Sequence, residues 1–159
     1  MAVTVRKATK KDAAKIAEFS VALAGLHAEW DAKRFTKVVS FEGATRWYGD
    51  RTEAETAGVF VAESEDRIVG FAYFEYEPVL YTELATKVAW LDDIYIEPSA
   101  RSLGAGKALL AAVKEAAAQL GANKILLSVA AKNSLGQRFF QQNGFETTML
   151  EMMLDIDDK

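Results

Sequence analysis

The chain has 159 residues, of which 50% are hydrophobic and 26% charged, with a formal net charge of −4. This size and composition predict one globular domain over residues 1–159. No apolar run reaches the roughly 18 residues that a membrane span needs, and the N-terminus lacks the apolar core of a signal peptide. The absence of cysteine excludes disulfides and thiolate chemistry, and the acidic balance argues against general nucleic-acid binding. We therefore expect a cytoplasmic protein without membrane or nucleic-acid partners.

The first part of the chain predicts a strand followed by helices. Residues 3–8 alternate enough to form a strand, and Thr9 is followed three residues later by Asp12, as in a capping box. Apolar residues at helical spacing then predict a helix to about His27. Residues 29–50 mix aromatic and charged side chains, which indicates one or two short helices.

The middle of the chain predicts three strands. Residues 58–64 and 67–77 flank a short turn and form a hairpin, with Pro78 ending the second strand. Residues 79–86 are interpreted as a loop. Residues 87–97 then form a central strand that Pro98 stops.

The last third predicts two further helices and the remaining strands. A long helix starts near Ala105 and ends at Gly121, and residues 124–130 are apolar enough for a buried strand. A short helix follows and ends at Gly144, and residues 145–156 supply a last strand or pair of strands. The predicted fold is mixed α/β, with a mostly antiparallel sheet of six to seven strands flanked by about four helices.

A glycine-rich segment that opens the long helix suggests a phosphate site. Backbone N–H groups are unpaired where a helix begins, and glycines allow the backbone to approach a ligand. The preceding strand carries two adjacent carboxylates, Asp92 and Asp93. This arrangement predicts a phosphorylated cofactor whose reactive end lies beside a proton acceptor.

Three motifs in order resemble the GNAT superfamily of acetyl-coenzyme-A-dependent N-acetyltransferases. Ile94-Tyr-Ile-Glu-Pro98 is similar to the strand end before the cofactor loop, and Arg101-Ser-Leu-Gly104-Ala-Gly106 is similar to the loop itself. Residues 133–145 are similar to the late helix beside the coenzyme. Residues 68–78 and 91–96 look like the small-amine branch typified by diamine and spermidine/spermine acetyltransferases. Residues 149–156 look closer to aminoglycoside-modifying and unassigned members, so the subfamily is open.

The resemblance implies acetyl-CoA as acetyl donor, no metal, and a cofactor site built from backbone groups. Amides of the loop would hold the diphosphate, the Ile94 strand would pair with the pantetheine arm, and the Ile94 N–H would stabilise the oxyanion. The implied cofactor-binding residues are Ile94, Tyr95, Ile96, Arg101, Ser102, Leu103, Gly104, Ala105, Gly106, Lys107, Asn133 and Phe140. For Asn133 a cofactor contact and a helix cap remain equal alternatives.

The acid pair supplies the candidate base. Strand side chains alternate, so Asp92 and Asp93 are expected on opposite faces. Asp92 aligns with the acidic position of the small-amine branch and is favoured as base, and Asp93 as substrate or structural partner. The family's usual proton donor, a tyrosine four residues before the glycine, is replaced by Phe140, which is expected to pack.

Candidate acceptor residues lie earlier in the chain. They are His27, Trp30, Glu75, Glu77 and Asp92, although His27 is also interpreted as a surface residue at a helix end. The favoured function is acetyl transfer to the primary amine of a small cationic acceptor by direct attack. A protein N-terminus or lysine as acceptor, and a coenzyme-A-binding module with weakened chemistry, are the alternatives. A homodimer is left open.

Overall fold

The computed structural model describes residues 2–157 as a mixed sheet between two layers of helices. In this part of the chain the sheet has five strands in the order β1-β2-β3-β4-β5, with antiparallel pairs except for the parallel pair β4–β5. The strands are β1 (Thr4–Lys7), β2 (Ala57–Ser64), β3 (Arg67–Leu80), β4 (Ala85–Ile96) and β5 (Lys124–Leu126). The predicted mixed α/β class is confirmed.

Four α-helices among residues 2–157 cover the two faces of the sheet. They are α1 (Ala13–Trp30), α2 (Phe41–Arg51), α3 (Ala105–Leu120) and α4 (Ser134–Gln142). The first core cluster joins the sheet to α3 and α4, and the second joins it to α1 and α2. None of the described helices combines the length and the apolar character needed to cross a membrane.

The start of α1 matches its sequence signal. The Asp12 carboxylate accepts the Thr9 N–H at 2.8 Å, and the Arg6 guanidinium donates to both Asp12 oxygens. These bonds hold the pKa of Asp12 below its ordinary value, and the bond from Arg6 has the largest effect. The capping box therefore also ties β1 to the helix.

Strand β3 is longer than predicted. The expected stop at Pro78 is wrong: β3 runs to Leu80, and Val79 pairs with Thr86 of β4. Proline cannot donate to a strand ladder and is tolerated where the neighbouring edge is open. That condition is met here, because β2 pairs with β3 only as far as Glu75.

The predicted count of six to seven strands is too high for the described residues. Strand β5 covers only Lys124–Leu126 of the predicted 124–130, and residues 145–156 form no strand. Residues 127–130 do not continue the pairing with β4, and the later segment pairs with no strand of the sheet. Both segments have strand-forming side chains, but a strand also needs a neighbour for its backbone groups.

Candidate active site

A cleft of about 460 Å³ opens on the face of the sheet that α1 and α2 cover. Its floor comes from β3 and β4, and α2 contributes one wall. The lining residues are Trp47, Arg51, Tyr73, Glu75, Glu77, Leu80, Thr82, Glu83, Trp90 and Asp92. Four of these side chains are carboxylic acids and one is a guanidinium, so the cleft favours cationic ligands.

A β-bulge in β4 places both aspartates on this cleft face. Tyr73 pairs with Asp93 and Phe74 pairs with Leu91, which leaves Asp92 as an inserted residue. In a regular strand, residues three positions apart lie on opposite faces of the sheet. Leu91 and Ile94 instead both pack on the α3 side, as the inserted residue requires. The expectation that Asp92 and Asp93 face opposite sides is therefore wrong, because one inserted residue shifts the alternation by one position.

Asp92 lies in the cleft near other acids. The Asp92 side chain keeps contact with solvent. Desolvation by the cleft first, and then the charges of Asp93, Glu75 and Glu77, raise the pKa of Asp92 to about 7. A carboxyl group with this pKa changes protonation state near neutral pH. Such a group is suited to accept a proton from a bound amine.

Asp93 has a different environment because α2 covers it. The Tyr48 hydroxyl donates to Asp93 Oδ2 at 2.5 Å, and Ser20 Oγ lies 3.4 Å from the same hydroxyl. Burial raises the pKa of Asp93, while the Tyr48 bond and the charge of His27 act in the opposite direction. Asp93 thus connects the strand to α2, in line with the structural part of its predicted role.

The other edge of β4 is open next to the bulge. Strand β5 pairs with β4 only at Val88–Trp90, so residues 91–96 have no strand on that side in the described chain. The Glu97 N–H donates to Val69 O on the β3 side, and backbone groups alternate along a strand. The N–H groups of Ile94 and Ile96 therefore point to the open edge.

The glycine-rich loop follows directly as a short 3₁₀ helix, Pro98–Leu103, and then Gly104. Gly104 has φ +81°, a left-handed conformation that favours glycine, and a Cβ added there would meet nothing within 4 Å. The first hydrogen bond of α3 is donated by the Ala108 N–H to the Gly104 carbonyl oxygen. The N–H groups of Ala105, Gly106 and Lys107 precede that bond and have no acceptor in the first turn of α3.

Gly106 has a packing role that the sequence interpretation did not include. A Cβ at this position would lie 2.8 Å from Phe139 Cζ and 3.3 Å from Ile96 Cδ1. The glycine thus lets α3 approach α4 and β4. Elsewhere in the loop, Leu103 packs on the core, while Arg101 donates from Nε to Ile96 O at 3.2 Å. Ser102 and Lys107 are exposed.

The late helix places Asn133 and Phe140 in structural roles. Asn133 Oδ1 accepts the Gly136 N–H at 2.9 Å, so Asn133 caps α4. The Phe140 side chain is buried, with ring centroids 5.3 Å from Phe139 and 5.5 Å from Phe145. The expected packing role of Phe140 is confirmed.

His27 and Trp30 pair with each other near the end of α1, and neither is a lining residue of the cleft. Their rings are 4.9 Å apart, His27 lies equally close to Phe35, and His27 Nδ1 is 2.9 Å from Leu23 O. His27 is half-buried near the end of α1, and its charge lowers the pKa of Asp93. Both ring contacts of His27 are edge-to-face, and they account for its partial burial.

The structure brings Glu75, Glu77 and Asp92 together and adds two residues that the sequence analysis did not select. Tyr73 Oη donates to Glu75 Oε1 at 2.7 Å, and Arg51 Nη1 donates to the same oxygen at 2.8 Å. The Arg51 guanidinium also lies 5.0 Å from the Trp47 ring centroid. Strand alternation could have identified Tyr73, since it has the same parity as Glu75 and Glu77.

Comparison with known proteins agrees with this geometry. A family model described as Acetyltransferase (GNAT) family matches residues 25–145. The uncharacterized N-acetyltransferase YhfO of Bacillus subtilis (strain 168) is 28% identical over 144 residues, covering 91% of this chain and 90% of the relative. The glucosamine 6-phosphate N-acetyltransferase of Trypanosoma brucei brucei is 31% identical over 98 residues, covering 62% and 64%.

A solved structure of the aminoglycoside N-acetyltransferase AAC(6')-Iy with a CoA-containing bisubstrate analogue matches with a TM-score of 0.74. The match covers 98% of both chains at 20% identity, which establishes likeness of fold. The family model and the curated relatives define the protein as an acyltransferase enzyme. The chain belongs to the GNAT family of acetyltransferases.

Proposed function

We propose that the protein transfers an acetyl group from acetyl-CoA to a primary amine of a small cationic acceptor. The observation that carries this proposal is the position of Asp92, whose pKa is about 7, in a cleft with Glu75, Glu77 and Glu83. A cation entering the cleft is attracted by several carboxylates, and its proton has an acceptor there. The single lining guanidinium, Arg51, is already paired with Glu75.

The residues around the bulge fit acetyl-CoA. The open edge of β4 offers the backbone groups of Ile94 and Ile96 to an extended pantetheine arm, as an added strand would use them. The unpaired amides at the start of α3, with open space beside Gly104, suit a diphosphate. When bound there, acetyl-CoA supplies the acetyl group as an activated thioester.

The reaction then depends on proton removal at the acceptor nitrogen. An alkylammonium with a pKa of about 10.4 must lose a proton before it can attack. Because the pKa of Asp92 is about 7 rather than the ordinary 3.8, the transfer equilibrium is more favourable by about three orders of magnitude. The Ile94 N–H would donate to the carbonyl oxygen of the acetyl group, where negative charge develops during attack.

An acceptor panel tests the function. Release of the coenzyme thiol can be followed with a thiol reagent without background, since the chain contains no cysteine. We expect turnover with diamines, polyamines or aminoglycosides, and much slower turnover with glucosamine 6-phosphate, whose phosphate would meet the carboxylates of the cleft. Absence of thiol release with every amine, or a preference for the phosphorylated sugar, would contradict the proposal. Peptides with free N-termini or lysines test the alternative acceptor class.

Neutralising one acid of the cleft should weaken acceptor binding. The Glu77 side chain forms no ion pair within residues 2–157, so Glu77→Gln removes charge without releasing a partner. We expect KM for a polyamine to rise about three- to tenfold, because Glu77 attracts the cation equally in the ground state and in the transition state. The change in kcat should be smaller, since Glu77 makes the smallest of the four contributions that raise the pKa of Asp92. The difference in KM between Glu77→Gln and the unsubstituted protein should decrease at high salt, because salt screens the attraction between the carboxylate and the cation.

The matched control is Glu115→Gln on the exposed side of α3, across the sheet from the cleft. Its KM should equal that of the unsubstituted protein. Equal KM values for both variants would mean that the cleft charge does not select the acceptor.

A further inference from the structure

Tyr48 of α2 presents a buried hydroxyl to the bulge in β4. The side chain is 4% exposed, and its ring makes edge-to-face contacts with Phe71 and Tyr73 of β3. Its hydroxyl donates to Asp93 Oδ2 at 2.5 Å and lies 3.4 Å from Ser20 Oγ of α1. The aromatic contacts hold the ring in place, so the hydroxyl is fixed against a carboxylate of the strand that carries the candidate base.

The bond from Tyr48 favours the charged form of Asp93. A hydroxyl that donates to a carboxylate forms a charge-assisted hydrogen bond, which is roughly twice as strong as a neutral one. Burial raises the pKa of Asp93, whereas the Tyr48 bond and the charge of His27 lower it. Within residues 2–157 the Asp93 carboxylate accepts no other side-chain hydrogen bond. Without the Tyr48 hydroxyl, Asp93 would be a buried carboxylate without a donor, and it would take up a proton more readily.

The charge of Asp93 acts on Asp92, because the bulge turns both side chains to the cleft face of β4. Desolvation makes the largest contribution to the raised pKa of Asp92, and the charge of Asp93 makes the next largest. The other titratable or charged groups around the pair are Tyr73, Glu75 and Glu77 of β3, Arg51 of α2, Glu83, and His27 of α1. Among the charges, that of Asp93 therefore has the strongest effect on Asp92, and it depends on the bond from Tyr48.

We propose that Tyr48 is a positioning residue of the reaction: its hydroxyl holds Asp93 as a charged partner of Asp92 and fixes the bulge that turns Asp92 into the cleft. This role rests on the proposed function, in which Asp92 is the base. Tyr48 is not a lining residue of the cleft and acts through Asp93. Loss of the hydroxyl should therefore change the proton affinity of Asp92 without removing a group that lines the acceptor cleft.

The test is a titration of Asp92 by carboxyl ¹³C nuclear magnetic resonance, on the full-length protein without substrates. The Asp92 signal is identified by its absence in Asp92→Asn. Asp93→Asn keeps an oxygen that accepts the Tyr48 bond but removes the charge, so the Asp92 midpoint should lie about one pH unit lower than in the unsubstituted protein. In Tyr48→Phe the midpoint should move in the same direction by a similar or smaller amount.

The double variant Tyr48→Phe/Asp93→Asn separates an effect of charge from an effect of loosened packing. If Tyr48 acts through the charge of Asp93, adding Tyr48→Phe to Asp93→Asn should not move the Asp92 midpoint further. The matched control is Tyr76→Phe, which removes a tyrosine hydroxyl from the opposite face of β3, where Tyr76 lies beside Gly121 at the end of α3. Its Asp92 midpoint should equal that of the unsubstituted protein.

Steady-state kinetics provide a second readout. In Tyr48→Phe, kcat for a polyamine should fall about tenfold, and the acid limb of kcat/KM should move to lower pH by as much as the Asp92 midpoint does. An unchanged Asp92 midpoint in Tyr48→Phe, or a further change in the double variant, would overturn the proposal. A protein that acetylates no amine would instead contradict the proposed function, and the titration would still decide whether Tyr48 controls the charge beside Asp92.

Discussion

Replacing Asp92 with asparagine is expected to lower kcat/KM for amine acceptors by about 10²–10⁴, the usual contribution of a positioned acid or base. Asparagine keeps the shape of the side chain but cannot take a proton from the ammonium. Coenzyme A binding should be unchanged, because the open edge of β4 and the start of α3 contribute backbone groups. Steady-state kinetics and calorimetry with coenzyme A separate the two effects. A variant with full activity would remove Asp92 from the mechanism.

The pH dependence provides a second measurement on the same residue. Since the pKa of Asp92 is about 7, the carboxyl is mostly protonated below that pH and cannot act as a base. We expect kcat/KM of the unsubstituted protein to fall about tenfold per pH unit below 7. The inflection near pH 7 should be absent in Asp92→Asn. An identical profile in both proteins would assign the inflection to another group.

Thermal unfolding distinguishes lost chemistry from lost structure. The folded-state pKa of Asp92 lies above its unfolded value of about 3.8, so folding is favoured less as pH rises from about 4 to about 7. Asparagine does not ionise, so Asp92→Asn does not lose stability as the pH rises. Asp92→Asn should therefore unfold at a temperature several degrees above that of the unsubstituted protein at pH 8, and at the same temperature below pH 4. A lower unfolding temperature at pH 8 would contradict this account of Asp92.

The sequence predicted those parts of the fold that local chemistry determines. Gly104, Gly121 and Gly144 were all placed at turns or helix ends, and all three have positive φ. The bulge at Asp92 could not be predicted, because strand periodicity assumes an uninterrupted ladder and only the pairing with β3 reveals the inserted residue. The bulge changes the site most, since it turns both aspartates to one face.

The C-terminal segment shows a different limit. Residues 145–156 have strand-forming side chains, and the sequence analysis accordingly predicted a strand there. A strand is defined by its neighbour, and local propensity does not say whether that neighbour belongs to the same chain. Arg51 was overlooked for a related reason: its role arises where α2 crosses β3, which is a tertiary contact.

Gly106→Ala tests why the loop needs its second glycine. A Cβ there would lie 2.8 Å from the Phe139 ring and 3.3 Å from Ile96, so we expect a loss of about 1–3 kcal/mol in the free energy of unfolding. In a Phe139→Ala background the two closest contacts are removed, and only the end of the flexible Ile96 side chain, at 3.3 Å, must shift. The same substitution should then be neutral or stabilising, since alanine favours a helix over glycine by up to about 1 kcal/mol.

Gly25→Ala in α1 is the matched control for Gly106→Ala, because a Cβ at Gly25 would meet nothing within 4 Å. It should be neutral or slightly stabilising in urea unfolding. The sequence interpretation assigned Gly106 to close approach of a diphosphate instead. If Gly106→Ala kept its stability and lost coenzyme A affinity, that interpretation would be correct. If stability falls in the single variant and recovers with Phe139→Ala, the glycine is required for α3 to pack against α4, and the amides that precede Ala108 depend on this packing for their position.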